Sequence, residues 1–193
     1  MHRALAFLAI ALASITSVST AAAEPARAPN LYVRVGLGGG VSVATLDTAV
    51  DSASTGASVA TELSVGFTPR PRLVFGLGTF PMVVPSPSYD GVSAGGQHVS
   101  GTGPFVDYFF GARGGLHARV GILFAAGYLD GSGARAGQVG FGYGATAGVG
   151  YDHRVARRWS LGAIARVTAY RLFGVDDRFR AVAPALLATA TFH

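Results

Sequence analysis

A histidine and a serine two positions apart, His98 and Ser100, are the residues of this sequence most typical of hydrolytic chemistry. If this segment is a strand, both side chains lie on one face, where the histidine can take the proton of the serine hydroxyl. Such a pair also needs a carboxylate to orient the imidazole. Asp107 falls on the opposite face by parity, and Asp90 lies in a predicted loop. The pattern therefore favours a polar strand start over a catalytic site.

Other chemistry that depends on particular side chains is excluded by composition. The 193 residues contain no cysteine and no lysine, which removes thiolate nucleophiles, thiolate-ligated metals and Schiff-base chemistry. The five histidines lack the spacing of a zinc site, and Gly36 to Gly40 do not complete a G-x-G-x-x-G phosphate loop. All 15 positive charges are arginines scattered along the chain, which argues against nucleic-acid binding. We therefore expect no catalytic residue, no metal and no cofactor.

The elements that position these residues are predicted to be strands. From residue 31 onward, apolar residues alternate with small or polar ones, and this period of two is typical of β-structure. Eight such segments are predicted, at 31–43, 58–68, 72–83, 101–111, 115–129, 138–152, 158–170 and 182–192. A tilted strand needs about 9–11 residues to cross the hydrocarbon of a bilayer, so their lengths fit membrane-spanning strands.

The charged residues of these segments indicate which face points outward. The apolar set of every segment contains no charge, whereas the polar set contains Arg34, Glu62, Asp107, Arg119, Asp152, Arg158 and Arg166. A soluble barrel has its charges outside around an apolar cavity, so here the apolar face must point into lipid. Half of the residues are hydrophobic and only 13% are charged. The sequence therefore predicts an all-β fold, an eight-stranded antiparallel up-and-down transmembrane β-barrel.

The inward charges are predicted to pair with one another, because eight strands enclose only enough room for side chains and a lone buried ion is costly. Asp107 and Arg119 are placed symmetrically about the turn near Arg113, which makes them a direct cross-strand pair. The predicted network consists of Arg34, Glu62, Asp107, Arg119 and Arg166. A gated ion or proton path along the same residues is the alternative.

The chain ends and connections predict its location and orientation. Residues 1–23 have the positive start, apolar stretch and A-x-A site of a cleavable signal peptide, residues 24–30 form a short disordered lead-in, and 31–193 form the barrel domain. The connections 69–72, 113–114 and 153–157 are short, whereas 46–57, 84–99, 130–137 and 172–180 are long. Outer-membrane barrels have short periplasmic turns. We therefore expect a bacterial outer-membrane protein with both termini in the periplasm.

Aromatic residues near the strand ends of the outward face are predicted to form the two girdles at the membrane interfaces. These are Tyr108, Tyr128, Tyr143, Tyr151, Trp159 and Phe192. The long connections carry aspartates and the short ones carry arginines, a polarity that either solvates the two ends or helps to bind divalent cations and lipopolysaccharide.

On this architecture the chain resembles the small eight-stranded outer-membrane β-barrel family, which includes the OmpX-like barrels and the transmembrane domain of OmpA. The resemblance covers residues 31–193 and implies contact with outer-membrane lipid and lipopolysaccharide. It also implies recognition of the C-terminal strand by the barrel-insertion machinery, which commonly reads a final aromatic residue. Here Phe192 is one place early, before His193, and still falls in the lipid-facing set.

Three functions are compatible with this prediction. The favoured one is a non-enzymatic, structural or surface-interaction protein with a packed interior and an extracellular partner that the sequence does not identify. The second is a narrow channel for small or apolar solutes, suggested by the interior Phe80, Phe105 and Phe109. The third is a lipid A-modifying hydrolase, because His98 and Ser100 resemble the His-x-Ser pair of the eight-stranded lipid A deacylases.

Overall fold

The computed structural model describes residues 30–47, 52–89, 92–93, 95–111, 115–130, 139–174 and 178–193. The predicted signal peptide and residues 24–29 of the lead-in lie outside the described residues. No helix in the described part of the chain is long and apolar enough to cross a membrane.

The described residues form eleven strands, in which side chains point alternately to the two faces of the sheet. They are β1 (Asn30–Asp47), β2 (Ser52–Arg70), β3 (Leu73–Thr79), β4 (Met82–Val84), β5 (Ser88–Tyr89), β6 (Val92–Ser93), β7 (Gln97–Phe109), β8 (Gly115–Leu129), β9 (Val139–Arg154), β10 (Trp159–Phe173) and β11 (Arg178–Phe192). Neighbouring strands pair antiparallel throughout.

The sheet closes on itself, because β1 pairs with β2 on one side and with β11 on the other. Strands β3 and β4 occupy one place in the ring, between β2 and β7, and are separated at Phe80 and Pro81. Proline has no N–H to give to the ladder, which explains a break at this point. The described strands thus form an eight-stranded up-and-down barrel, which confirms the predicted fold class. The single third strand predicted at 72–83 is corrected to two.

Several strands extend beyond their predicted ends. The backbone of β1 pairs with that of β2 as far as Leu46 and Ser52, so most of the predicted loop 46–57 is strand. Likewise β10 continues to Phe173 and β11 begins at Arg178, which shortens the loop predicted at 172–180. The loop predicted at 84–99 contains the hairpin of β5 and β6 and the start of β7. Small and polar residues here resemble turn sequences, but their backbones complete the hydrogen bonds of the neighbouring strand.

The outward face is apolar over most of the middle of the barrel. Leu37, Leu77, Ile122, Phe124 and Leu186 are each more than 60% exposed, which water would penalise and lipid would not. The charges that point outward on the strands lie near the strand ends, as at Arg171, Arg178 and Arg180. This is the arrangement of an apolar band flanked by polar rims.

The inward side chains form three layers. An aromatic cluster of Tyr32, Val74, Phe105 and Phe109 lies toward the end that holds Asn30 and Phe192. A layer of charged residues follows, and a larger apolar cluster that includes Phe80, Met82, Leu123, Tyr170, Leu172 and Phe179 fills the other half. The lumen is therefore occupied by side chains from both ends toward the middle.

Candidate functional site: an ion-pair network inside the barrel

Three arginines and three carboxylates are buried in the lumen with at most 4% of their surface exposed. Each comes from an inward position of a different strand: Arg34 from β1, Glu62 from β2, Asp107 from β7, Arg119 from β8, Asp152 from β9 and Arg166 from β10. We call these six residues the ion-pair network. The three positive and three negative charges are equal in number, so each buried ion can be paired and its desolvation free energy can be offset.

The network is a chain in which positive and negative groups alternate. Arg166 Nη1 lies 3.2 Å from Glu62 Oε2, and Glu62 also pairs with Arg119. Arg119 Nη2 lies 2.8 Å from Asp107 Oδ2, and Asp107 Oδ2 lies 3.2 Å from Arg34 Nη1. The chain ends where Arg34 Nη2 lies 2.5 Å from Asp152 Oδ2. Every interior member of the chain therefore has an opposite charge on both sides.

Four of these five pairs join strands that are not neighbours in the ring. The exception is Asp107 and Arg119, which face each other directly across β7 and β8. The other pairs cross the lumen, for example from Arg34 on β1 to Asp107 on β7. The network thus ties opposite walls of the barrel together at one level.

Asp107 is hydrogen-bonded to four other side chains. Its Oδ2 accepts hydrogen bonds from Tyr32, Arg34 and Arg119, and its Oδ1 lies 2.8 Å from Nδ1 of His117. His117 is fully buried, and its Nε2 lies 3.4 Å from Arg34 Nη2. The His117 ring is therefore held between the acidic and basic groups of the network.

The structure brings together all five residues of the predicted network, and it adds two that were not assigned to it. The sequence places Asp152 on the inward face without giving it a partner, and the alternation along β8 places His117 on the same face as Arg119. Parity was the available signal for both, since His117 precedes Arg119 by two positions on the same face. Their partners lie across the lumen, where sequence spacing gives no guide.

Two of the three phenylalanines predicted for the interior, Phe80 and Phe105, pack against guanidinium groups. The Cζ of Arg119 lies 4.3 Å from the centroid of the Phe105 ring, and that of Arg166 lies 5.2 Å from the Phe80 ring. Such stacking places a planar cation on an aromatic face in a desolvated setting. These rings therefore fill the space beside the network.

The residues predicted for the girdles lie at the two ends of the outward face. Trp159 stacks edge-on against Phe192 at a centroid distance of 5.4 Å, and Tyr108 and Tyr151 lie exposed at the same end. Tyr128 and Tyr143 are exposed at the other end, on β8 and β9. Two aromatic bands are thus separated by the aliphatic middle.

The interpretation of His98 requires a correction, because a carboxylate does lie beside it. Nε2 of His98 lies 2.8 Å from Oδ2 of Asp130, and its ring stacks on Tyr128 at 4.5 Å. Asp130 directly follows β8 and had been assigned only to a loop. Ser100 turns toward the opposite neighbour, where its hydroxyl lies 3.4 Å from that of Thr79. The structure thus pairs His98 with an acid but gives no hydrogen bond between His98 and Ser100 among the described residues.

His193 closes the end of the lumen below the network. Its ring meets Tyr32 and Phe109 edge-on at 5.8 and 6.0 Å, and its backbone N–H donates to the carbonyl of Arg158. Burial lowers the pKa of the His193 imidazole. Within the described ranges, no group of three or more side chains is gathered as a metal site.

Comparison with known proteins supports the fold alone. No family model matches the chain, and no match was found among curated protein sequences. The crystal structure of Neisserial surface protein A is similar, with a TM-score of 0.52 and 15% identity over 84% of this chain and 96% of that one. The solid-state NMR structure of the outer membrane protein AlkL in DMPC bilayers has a TM-score of 0.53 and 12% identity over 92% and 96%. The chain therefore has the fold of the small eight-stranded outer-membrane β-barrels, which confirms the fold that the sequence resemblance implied.

Proposed function

We propose that this chain is an integral protein of the bacterial outer membrane with a non-enzymatic, structural or surface-interaction role and a lumen filled by side chains. The observation that carries the proposal is the reversed polarity of the barrel. Its charges are paired inside, and its large apolar side chains are exposed outside. That arrangement is stable where the surrounding solvent is lipid.

The membrane position is supported by the two aromatic bands and the apolar surface between them. At one end of the ring, consecutive strands are separated by residues 71–72, 110–114 and 155–158. At the other end they are separated by 48–51, 85–96, 130–138 and 174–177, and 85–96 and 130–138 are longer than any separation at the first end. Short turns face the periplasm in such barrels, so the ends of β1 and β11 that hold Asn30 and Phe192 are assigned to the periplasm. The barrel contacts lipid and lipopolysaccharide, and the insertion machinery reads β11, on which Phe192 packs against Trp159.

The packed lumen is supported by the burial of the network. Arg34 and Asp107 have none of their surface exposed, and Arg119 has 1%. A water-filled passage would leave solvent-accessible surface on the charged side chains that it passes. At the level of these residues the side chains leave no such surface, which favours a core over a channel.

The test is electrical recording of the purified full chain in planar lipid bilayers. We expect no conductance steps from the native protein, after heat-modifiable migration in a detergent gel has shown that it is folded. A porin of known conductance, recorded in the same bilayers, serves as the control for detection. Discrete steps from the native protein would refute the packed lumen.

Two further measurements test the remaining parts of the proposal. Fractionation of cells that express the full chain is expected to place it with the outer membrane and to release it only with detergent. Solubility in buffer without detergent would overturn the membrane assignment. Lipid A acylation is expected to stay unchanged on overexpression, and loss of an acyl chain that depends on His98 would overturn the non-enzymatic assignment.

A further inference from the structure

Three adjacent places in the ring carry a threonine at the same depth on the outward face. They are Thr61 on β2, Thr79 on β3 and Thr102 on β7, and the neighbours of each along its strand are buried inside the barrel. Each threonine lies six positions from an outward residue at the end assigned to the periplasm, namely Phe67, Leu73 and Tyr108 in the same order. The three hydroxyl groups thus lie side by side on the surface that faces lipid.

The other five places in the ring have aliphatic residues at this depth. The same count of six positions starts from Leu31, Leu116, Tyr151, Trp159 and Phe192, and it ends at Leu37, Ile122, Ala145, Ala165 and Leu186. All five of the residues reached are exposed on the outward face. Among the described residues, outward hydroxyl groups at this depth are therefore confined to one side of the barrel.

This depth lies inside the hydrocarbon of the membrane. With a rise of about 3.3 Å per residue and a tilt of about 40°, six residues place Thr102 about 15 Å along the barrel axis from Tyr108. Tyr108 belongs to the aromatic band at the periplasmic interface, and the apolar band of such barrels is about 25 Å tall. A hydroxyl group in hydrocarbon meets no water, and its burial without a hydrogen-bond partner is unfavourable.

The hydroxyl groups of this surface are poorly satisfied within the chain. Thr79 and Thr102 are directly opposite each other across β3 and β7, and the hydroxyl of Ser100 lies 3.4 Å from that of Thr79. The side chains of Thr61 and Thr102 make no hydrogen bond within the described part of the chain. We call Thr61, Thr79, Ser100 and Thr102 the hydroxyl patch. Its side chains have hydrogen-bonding capacity left for a partner outside the chain.

Two prolines interrupt the main-chain pairing beside the hydroxyl patch. Pro81 lies in the break between β3 and β4, two positions from Thr79. Pro104 lies on the outward face two positions from Thr102, where the recorded pairing of β7 with β8 is interrupted. Proline has no N–H to give to the opposite strand, and main-chain groups that a ladder does not use are unfavourable in hydrocarbon. This side of the barrel is therefore less suited to acyl chains than the other sides.

We propose that the hydroxyl patch is the contact surface of a two-fold symmetric dimer, in which the patch of one copy meets the identical patch of a second copy. All copies cross the membrane in one orientation, so a two-fold axis along the membrane normal brings the two patches together at equal depth. A hydroxyl group both donates and accepts a hydrogen bond, which makes the patch complementary to itself. Hydrogen bonds between such side chains stabilise association within membranes. The inference rests on the proposed function, because it requires the chain to span a membrane.

The first test is disulfide cross-linking of the full chain in lipid vesicles, with copper phenanthroline as the oxidant. The chain contains no cysteine, so a single introduced thiol reports on one contact. We expect T102C to give a cross-linked dimer. The matched control A165C has its thiol at the same depth on β10, on the opposite side of the ring, and is expected to stay monomeric. Equal cross-linking of the two variants would overturn the assigned contact surface.

The second test measures association without a cross-link at the patch. Chains labelled with donor or acceptor fluorophores at S86C, in an exposed connection, are diluted with lipid while energy transfer is followed. We expect T79V/T102V, which removes two hydroxyl groups from each copy, to raise the Kd of the dimer at least about 10-fold. The matched control T45V/T55V removes two exposed outward hydroxyl groups near the other end of β1 and β2 and should leave the Kd unchanged. An unchanged Kd in T79V/T102V would overturn the role of the hydroxyl patch.

The state of the native chain separates this inference from the proposed function. Heat-modifiable migration of every variant shows whether the barrel has folded. A native chain that fails to insert contradicts the proposed function itself. A native chain that inserts but shows no energy transfer at any lipid ratio contradicts the dimer alone, and it would mean that lipid or another protein covers the hydroxyl patch.

Discussion

Replacing Glu62 by glutamine is expected to destabilise the barrel more than replacing Arg166 by methionine, although the two side chains share one ion pair. Glu62 pairs with both Arg119 and Arg166. When Glu62 loses its charge, Arg119 keeps its ion pair with Asp107. Arg166 keeps only uncharged described partners, the carbonyl of Thr61 and the ring of Phe80. Arg166 is almost completely buried, and its Nε already lacks a partner. The loss of Glu62 therefore leaves a buried cation without compensation.

The expected magnitudes follow from this asymmetry. An uncompensated buried charge costs about 3–5 kcal/mol, which is the value expected for E62Q. R166M leaves Glu62 with Arg119 and with the hydroxyl of Ser64, so its cost is about 1–2 kcal/mol. The double variant keeps two arginines and two carboxylates in balance. It should be no less stable than E62Q alone, which corresponds to a coupling energy of at least about 1–2 kcal/mol.

The assay is equilibrium unfolding by urea in lipid vesicles, followed by the fluorescence of Trp159, the single tryptophan of the chain. Trp159 lies on the outer surface and does not contact the network, so its emission reports on insertion without being altered by the substitutions. If the losses of unfolding free energy in E62Q and R166M add up to the loss in the double variant within about 0.5 kcal/mol, the reasoning is refuted, because independent sites are additive. A loss of unfolding free energy in the double variant that is larger than the sum of the two single losses would refute it as well.

Two other predictions concern the lower half of the lumen. An added Cβ at Gly150 would lie 2.5 Å from Nε2 of His117 and 2.8 Å from the carbonyl of Ala163; Gly150→Ala should therefore lower the free energy of unfolding by about 1–3 kcal/mol. The matched control Gly39→Ala, whose nearest atom is 3.6 Å away, should leave it nearly unchanged, and equal effects would contradict the assigned packing of His117. Because burial lowers the pKa of His193 below its usual value of 6.5, protons bind preferentially to the unfolded state. The contribution of His193 to the free energy of unfolding is complete above about pH 6.5 and falls as the pH drops below that value. The urea midpoint of the native chain should therefore decrease below pH 6.5 more than the midpoint of His193→Phe. Parallel pH profiles of the two proteins would exclude a contribution from His193.

The division between the two faces of each strand could be predicted from the sequence. Side-chain direction in a strand alternates strictly, so parity alone placed Glu62, Arg119 and Arg166 inside and Trp159 outside. The Asp107 and Arg119 pair was equally accessible, because one short turn sets the register of a hairpin. All of these inferences depend on neighbours in sequence or on adjacent strands.

The limits of the strands were less predictable. Residues 52–57 and 178–180 resemble loop sequence, yet they are strand because β1 and β10 supply hydrogen-bonding partners beside them. The partner of His98 was hidden for a similar reason: Asp130 comes from the end of the neighbouring strand β8.

A barrel with an apolar outside and a charged inside could be predicted from the residues alone, because a period of two and the placement of charge are local properties. Which charges meet depends on how the strands are arranged in three dimensions. Arg34 reaches Asp107 and Asp152 because the sheet closes between β1 and β11, and the register of that closure sets how far each strand is shifted around the barrel. Contacts across the lumen depend on that shift, which no segment of the chain carries alone.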